Sequence, residues 1–154
     1  MSAPILIAID GSSRAEALLQ LAARHAKALN APVEVICVLD PDRDPAALTP
    51  TLLGTGEIIP DTGPSQAQLD ADQAVVAAVS QLQAAGVEAK GHVASGEPSR
   101  LICTYARNRN CQLIVLGHRY RHWFAKLREG SVCHAVIEHA SCPVLVQTPH
   151  SHGA

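Results

Sequence analysis

Two short stretches of this chain hold the residues most able to do chemistry. The first is Gly117 to Ser131, reading GHRYRHWFAKLREGS. From Gly117 to Gly130, Arg119, Arg121, Lys126 and Arg128 stand against one acid, Glu129, so this stretch carries +3 and leaves −5 for the remainder of a chain whose total is −2. It closes on Gly130-Ser131, with Ser131 able to cap the helix that follows. Backbone N–H groups at a helix start, with the helix dipole behind them, suit an anion such as phosphate. A solvated basic loop would show the same charge pattern. The second stretch is Asp10-Gly11-Ser12-Ser13, directly after an apolar run. Asp in that place commonly caps a turn, and it also ends a strand where a ligand could sit.

Other chemistries lack their residues. There is no GxGxxG for a dinucleotide, no GxxxxGK[ST] for a P-loop, and no GxSxG, HExxH or Cys/His nucleophile arrangement. Of the eight His, His118 and His122 fall in the basic loop, His134 and His139 lie five apart on a helix, and His150 and His152 belong to the tail. None forms an i, i+4 pair with a carboxylate partner, so no metal site is expected. The five Cys (37, 103, 111, 133 and 142) are odd in number and form no CxxC. They read as small buried hydrophobes kept reduced in the cytoplasm, with a redox switch as the other reading. Trp123-Phe124 is either an apolar anchor for the basic loop or a partner-docking patch.

The elements that must position these residues follow from hydrophobic pattern. Ile5 to Ile9, Val33 to Leu39, Leu113 to Leu116 and Val144 to Val146 are continuous apolar runs, as parallel strands covered on both faces require. Val87, Ala89, Gly91 and Val93 alternate with Glu88, Lys90 and His92, predicting an edge strand with one wetter face. Between them lie helical patterns. Ser13-x-x-Glu16 is a capping box, followed by Leu18, Leu19, Ala22, Ala26 and Leu29 at helical spacing. Ser65-x-x-Gln68 opens a second helix with Leu69, Val76, Val79 and Leu82 inward, stopped at Gly86. Pro98 starts a third running to about Arg107, and Ser131 caps a fourth ending near His139. The β-α-β-α-β-α-β-α-β order predicts an α/β doubly wound parallel sheet. Asp40 to Pro64, with five Pro, three Gly and four Asp, fits no minimal unit and reads as a functional or mobile loop; a short helical turn near Ala46 to Leu53 is the most it would hold.

Composition bounds the rest. At 154 residues the chain suits one domain, and 47% hydrophobic with 3% aromatic and 25 Ala means a core of Val, Ile, Leu and Ala. The lack of an overall basic excess and of stacking aromatics argues against nucleic acid. The apolar runs are strand-sized, so no membrane span is expected. Met1-Ser2-Ala3-Pro4 has no basic segment before its apolar run, so no signal peptide is expected either.

The chain resembles the universal stress proteins. Its opening, ILIAIDGSSRAEALLQLA, is similar to that family's first strand, Asp and helix, and LIVLGHRYRHWFAKLREGSVCHAVIEHASCPVLVQ is similar to its closing signature. ATP-binding members carry G-x2-G-x9-G-[ST] there; here Gly117 and Gly130-Ser131 stand at the expected distance, with Tyr120 in place of the middle glycine. The resemblance implies one domain over residues 1–148 and a tail over 149–154. It implies a five-stranded sheet ordered 3-2-1-4-5 with helices on both faces, the adenine nucleotide alpha-hydrolase-like fold. Carried over, Asp10 would face the ribose, the Val38 backbone would meet the adenine edge, and Ala8 would be among the nucleotide-binding residues. Gly117, Arg119, Arg121, Gly130, Ser131 and Val132 would surround the ribose and phosphates of ATP or AMP.

Tyr120 is where the chain departs from the family. Its ring either fills the phosphate site or turns outward to cover the adenosine or donate its hydroxyl to a phosphate. The function implied is a non-catalytic, dimeric stress-response module, since no residue has the position of an obvious general base. The alternatives are a non-nucleotide interaction protein, blocked by Tyr120, or a weak ATP hydrolase. The last strand, Pro143 to Gln147, would be a sheet edge and the homodimer contact.

Overall fold

The computed structural model describes residues 2–11, 15–40, 51–52, 58–59, 63–117 and 132–148. The apolar runs form one parallel sheet of β1 (Ile5–Ile9), β2 (Val33–Leu39), β3 (Ala89–Ser95), β4 (Leu113–Gly117) and β5 (Val144–Gln147). Its order is 3-2-1-4-5, as expected. The helices are α1 (Glu16–Leu29), α2 (Gln66–Ala84), α3 (Pro98–Asn108) and α4 (Val132–His139).

Alternate residues of the central strands enter two cores. Ile5, Ile7, Ile9, Val33, Val35 and Cys37 pack with Leu19 and Ala22 of α1 and Val75 and Leu82 of α2. Leu6, Ala8, Ile36, Val38, Ile114 and Leu116 pack on the opposite face with Ile102 and Ala106 of α3 and Val136 of α4. Each fully buried aliphatic side chain stabilises the fold by about 1.5–3 kcal/mol, which is why a strand apolar on both faces lies in the middle of the sheet. Buried alanines at 22, 26, 71 and 78 bring the helices close where aromatic side chains would hold them away.

The helix ends are set by local hydrogen bonds. Ser65 caps α2, its hydroxyl accepting from the Gln68 N–H at 3.1 Å, while the Gln68 side chain reaches forward to Asp72 instead of back to the cap. Glu97 caps α3 ahead of Pro98, accepting from the N–H groups of Ser99 and Arg100 at 3.1 and 2.8 Å. The helix ends at Asn30 and Gly86 donate back into the last turns of α1 and α2. The predicted caps Ser13 and Ser131 lie outside the described residues, but α1 begins at Glu16 with Ala15 at its cap and no side-chain cap bond, so Glu16 is the first helical residue and not the third that the expected capping box needs. Most of Asp40 to Pro64 does so as well. Thr51–Leu52 and Ile58–Ile59 pair as short antiparallel strands, so Thr51 and Leu52 are not part of the expected helical turn.

The face that α2 buries differs from expectation. Leu69 and Val76 are 42% and 65% exposed, and the buried stripe is Ala71, Val75, Ala78 and Leu82. Leu29 of α1, also expected inward, is 44% exposed. The cause in α2 is a close approach to the sheet edge. A Cβ built on Gly91 of β3 would stand 2.2 Å from Cγ1 of Val75 and 3.0 Å from Cγ2 of Val79. With apolar residues around much of α2, periodicity alone leaves its orientation open. The bare backbone at Gly91 settles it, because only there can a valine descend onto the strand.

One charge lies inside this architecture. Glu34 of β2 is 8% exposed, the sole buried charged residue among those described. Its carboxylate accepts from the Tyr105 hydroxyl at 2.9 Å, lies 3.2 Å from His92 Nε2, and has Arg109 at 4.0 Å. Arg109 also sits over the Tyr105 ring at 5.4 Å. Burial first, and then the Glu34 carboxylate, hold the Tyr105 phenol above its usual range, so it remains a donor. A buried carboxylate stripped of one such partner typically costs about 1–3 kcal/mol.

The Gly91 contact is directly testable. Gly91→Ala should lower stability by about 1–3 kcal/mol, the usual range for overpacking, in urea unfolding followed by circular dichroism. Val75→Ala in the same chain should return much of that loss. If the two changes simply add, Val75 is not what the new methyl meets.

Candidate functional site

The site follows from the strand order. β1 and β4 are neighbours whose following helices cover opposite faces of the sheet, so the chain diverges on either side of their carboxyl ends. A crevice forms at such a reversal. Ile9 is the last β1 residue paired with β2, opposite Cys37, and Ala8 is the last paired with β4, opposite Leu116. One residue further on stand Asp10 and Val38 on one side and Gly117 on the other. The structure therefore brings Asp10, Val38 and Gly117 to within one register step of each other at the strand ends, with Ala8 two residues below Asp10. Ala8 and Val38 are fully buried in the core beneath α3 and α4, so only their backbones can serve a ligand. Asp10 is half-buried at the rim.

The turn after β1 is tight. Gly11 has φ +79°, a left-handed conformation that a side chain disfavours. A Cβ there would meet Cys37 Sγ at 3.8 Å, so the turn lies across the end of β2. The Cys37 thiol is pushed up to about 12, by burial first and then by the carboxylates of Asp10 and Asp72. It is a neutral thiol under an acidic rim. This placement was missed at the sequence level, where Cys37 showed only as one more apolar-run residue.

The opposite wall is the start of α4. Val132, its first residue, is 3% exposed. The Cys133 thiol donates to the Gly117 carbonyl at 3.5 Å, joining the end of β4 to that first turn. On the other side, a Cβ at Gly117 would lie 3.5 Å from Leu18 Cδ2 of α1. The first turn of α4 thus sits beside the β4 end, and N–H groups at a helix start are where an anion is favoured. Arg119, Arg121, Gly130 and Ser131, together with Tyr120, lie outside the described residues.

Two further points concern ligation. His134 pairs with Glu138 four residues on, at 3.2 Å, which corrects the expectation that no His has a carboxylate partner at i, i+4; both side chains are exposed and the pair is an ordinary helix-surface contact. Among the described residues no group of three His, Cys, Asp or Glu could hold a metal ion. All five cysteines are free, and burial raises each thiol. Nor is any described helix long and apolar enough to cross a membrane.

The likeness to known proteins spans the domain. The model of the universal stress protein family matches residues 1–147. A universal stress protein of Synechocystis sp. is 31% identical over 147 residues, covering 92% of this chain and 95% of its own. The solved universal stress protein of Archaeoglobus fulgidus is 29% identical with a TM-score of 0.67, over 93% of this chain and 91% of its own. A structure from the same organism in complex with dAMP is 27% identical with a TM-score of 0.66, over 93% and 95%.

The acidic rim has a measurable signature. At pH 8 in the folded protein, alkylation of Cys37 by iodoacetamide should run at least about a thousandfold slower than in the denatured chain, since only the thiolate reacts. Asp10→Asn removes one raising charge and should speed that labelling, read residue by residue by mass spectrometry. Native labelling at the denatured rate, or indifference to Asp10→Asn, would contradict the placement of Cys37.

Proposed function

We propose that this chain, which belongs to the universal stress protein family, is a non-catalytic stress-response module of the cytoplasm that takes an adenine nucleotide, ATP or AMP, into the crevice beyond β1 and β4. The observation that carries this reading is that Asp10-Gly11 and Gly117 follow the last paired positions of two neighbouring strands, with Gly117 tied to the first turn of α4. Asp10 supplies an acceptor for ribose hydroxyls. The backbones at Ala8 and Val38 offer edges to adenine, and Gly117 and Val132 border the phosphate end. In this reading the +3 charge carried from Gly117 to Gly130 attracts the phosphates of the ligand. The dAMP complex of the Archaeoglobus fulgidus relative supports a nucleotide as the class of ligand. Arg119, Arg121, Gly130 and Ser131 complete the phosphate contacts in this reading.

A second reading has its own observation, Tyr120 where ATP-binding members carry glycine. A ring there removes the close backbone approach that phosphates use, and the protein then works through its surfaces. A homodimer serves either reading. Among the described residues β5 pairs with β4 alone, which puts it at a sheet edge, the place where a second strand can add. Antiparallel pairing of β5 with its copy closes both sheets at once.

Isothermal titration with ATP and AMP, with and without Mg²⁺, should give micromolar binding. Absence of heat and of any thermal shift at millimolar nucleotide would end the nucleotide reading, and Tyr120→Gly that then gained binding would identify the ring as the block. Separately, Leu145→Glu should convert the dimer to monomer in sedimentation velocity, with circular dichroism confirming the fold. A folded variant that stayed dimeric would put the interface elsewhere.

A further inference from the structure

The end of β4 is held from two sides by residues that the nucleotide reading leaves without a task. Leu18 Cδ2 of α1 lies 3.5 Å from where a Gly117 Cβ would stand. The Cys133 thiol of α4 reaches the Gly117 carbonyl at 3.5 Å. A sulfur–oxygen separation of that size suits a weak S–H···O bond, longer than its hydroxyl counterpart. Cys133 is buried at the second residue of α4, directly after Val132, whose side chain is fixed in the core. The bond therefore spans 16 residues of sequence and links the two backbone points between which the basic stretch begins and ends.

We propose that Cys133 is a positioning residue for the nucleotide crevice: by engaging the Gly117 carbonyl it sets the peptide plane at the end of β4 against the first-turn N–H groups of α4. The proposal rests on the nucleotide reading above. Two features of the site make a thiol suitable here. Burial keeps it protonated, so it stays a donor across the neutral pH range. Its long reach also holds the strand end and the helix start further apart than a hydroxyl would, leaving the Gly117 backbone able to turn its open side to a ligand. Cys133 touches no ligand itself; it acts through Gly117 and Val132.

The test compares Cys133→Ala, which loses the donor, with Cys133→Ser, which keeps one, and uses Cys142→Ala as a control thiol at the other end of the sheet. In the unliganded protein, Cys133→Ala should move the Gly117 carbonyl ¹³C resonance and speed amide exchange at the first turn of α4, with Ser intermediate. With AMP as the probe, Cys133→Ala should weaken binding about threefold to fivefold, the scale of one modest hydrogen bond. Ser should recover part of the loss, and Cys142→Ala should bind as the parent does. If the Gly117 resonance is unmoved, or AMP binds the Ala variant as tightly as the parent, Cys133 does not position the crevice. A parent protein that takes up no AMP sinks the nucleotide reading instead, while the Gly117 signal still decides whether the tie exists.

Discussion

The rest of the molecule depends on β1 being apolar on both faces. Ile5, Leu6, Ile7 and Ala8 have no exposed surface, so neither side of that strand can be left to water. Covering both requires helices above and below, and each crossover between parallel strands has one favoured hand. To cover the second face, the chain must leave β1 in one direction and return to β4 in the other. The crevice is what remains where those directions part. The site proposed at the ends of β1 and β4 is thus a by-product of burying five consecutive apolar residues, and its rim residues are whatever follows them in sequence.

This explains which features could be read before any coordinates. The strands were legible because continuous Val, Ile and Leu runs have one stable home, and their order followed from the resemblance. Asp10 and Gly117 were legible for the same reason: they end such runs. The face of α2 was not, because Leu69, Val75, Val76 and Val79 surround the helix and the deciding contact is with Gly91 on a strand that follows it in the chain. Nor was the role of Glu34, although a carboxylate inside VEVICVL is itself a signal. A charge in a two-faced apolar strand must find partners, and they arrived from β3 and α3, between 58 and 75 residues away, a separation no local pattern reports.

The site shows the same division. Backbone positions were predictable, since strand ends and helix starts are matters of periodicity and capping. The thiols were not. Cys37 lies under the Gly11 turn and Cys133 against the Gly117 carbonyl, placements set by sheet register and by the seating of α4. Both thiols are raised by burial, and both contribute as neutral groups. Composition records them only as members of a count of five.

Glu34 also has a consequence for how the sheet is assembled. Among the described residues β3 lies at an edge, with backbone pairing on one side only, and several of its residues are small enough to sit against β2 in more than one alignment. Sliding β3 by one position would carry His92 to the opposite face. The carboxylate would then keep Tyr105 but lose its partner from the strand. A wrong alignment of Ala89–Ser95 is thereby penalised by an under-solvated charge, so the quartet works as a key that admits one register of the edge strand and rejects its neighbours.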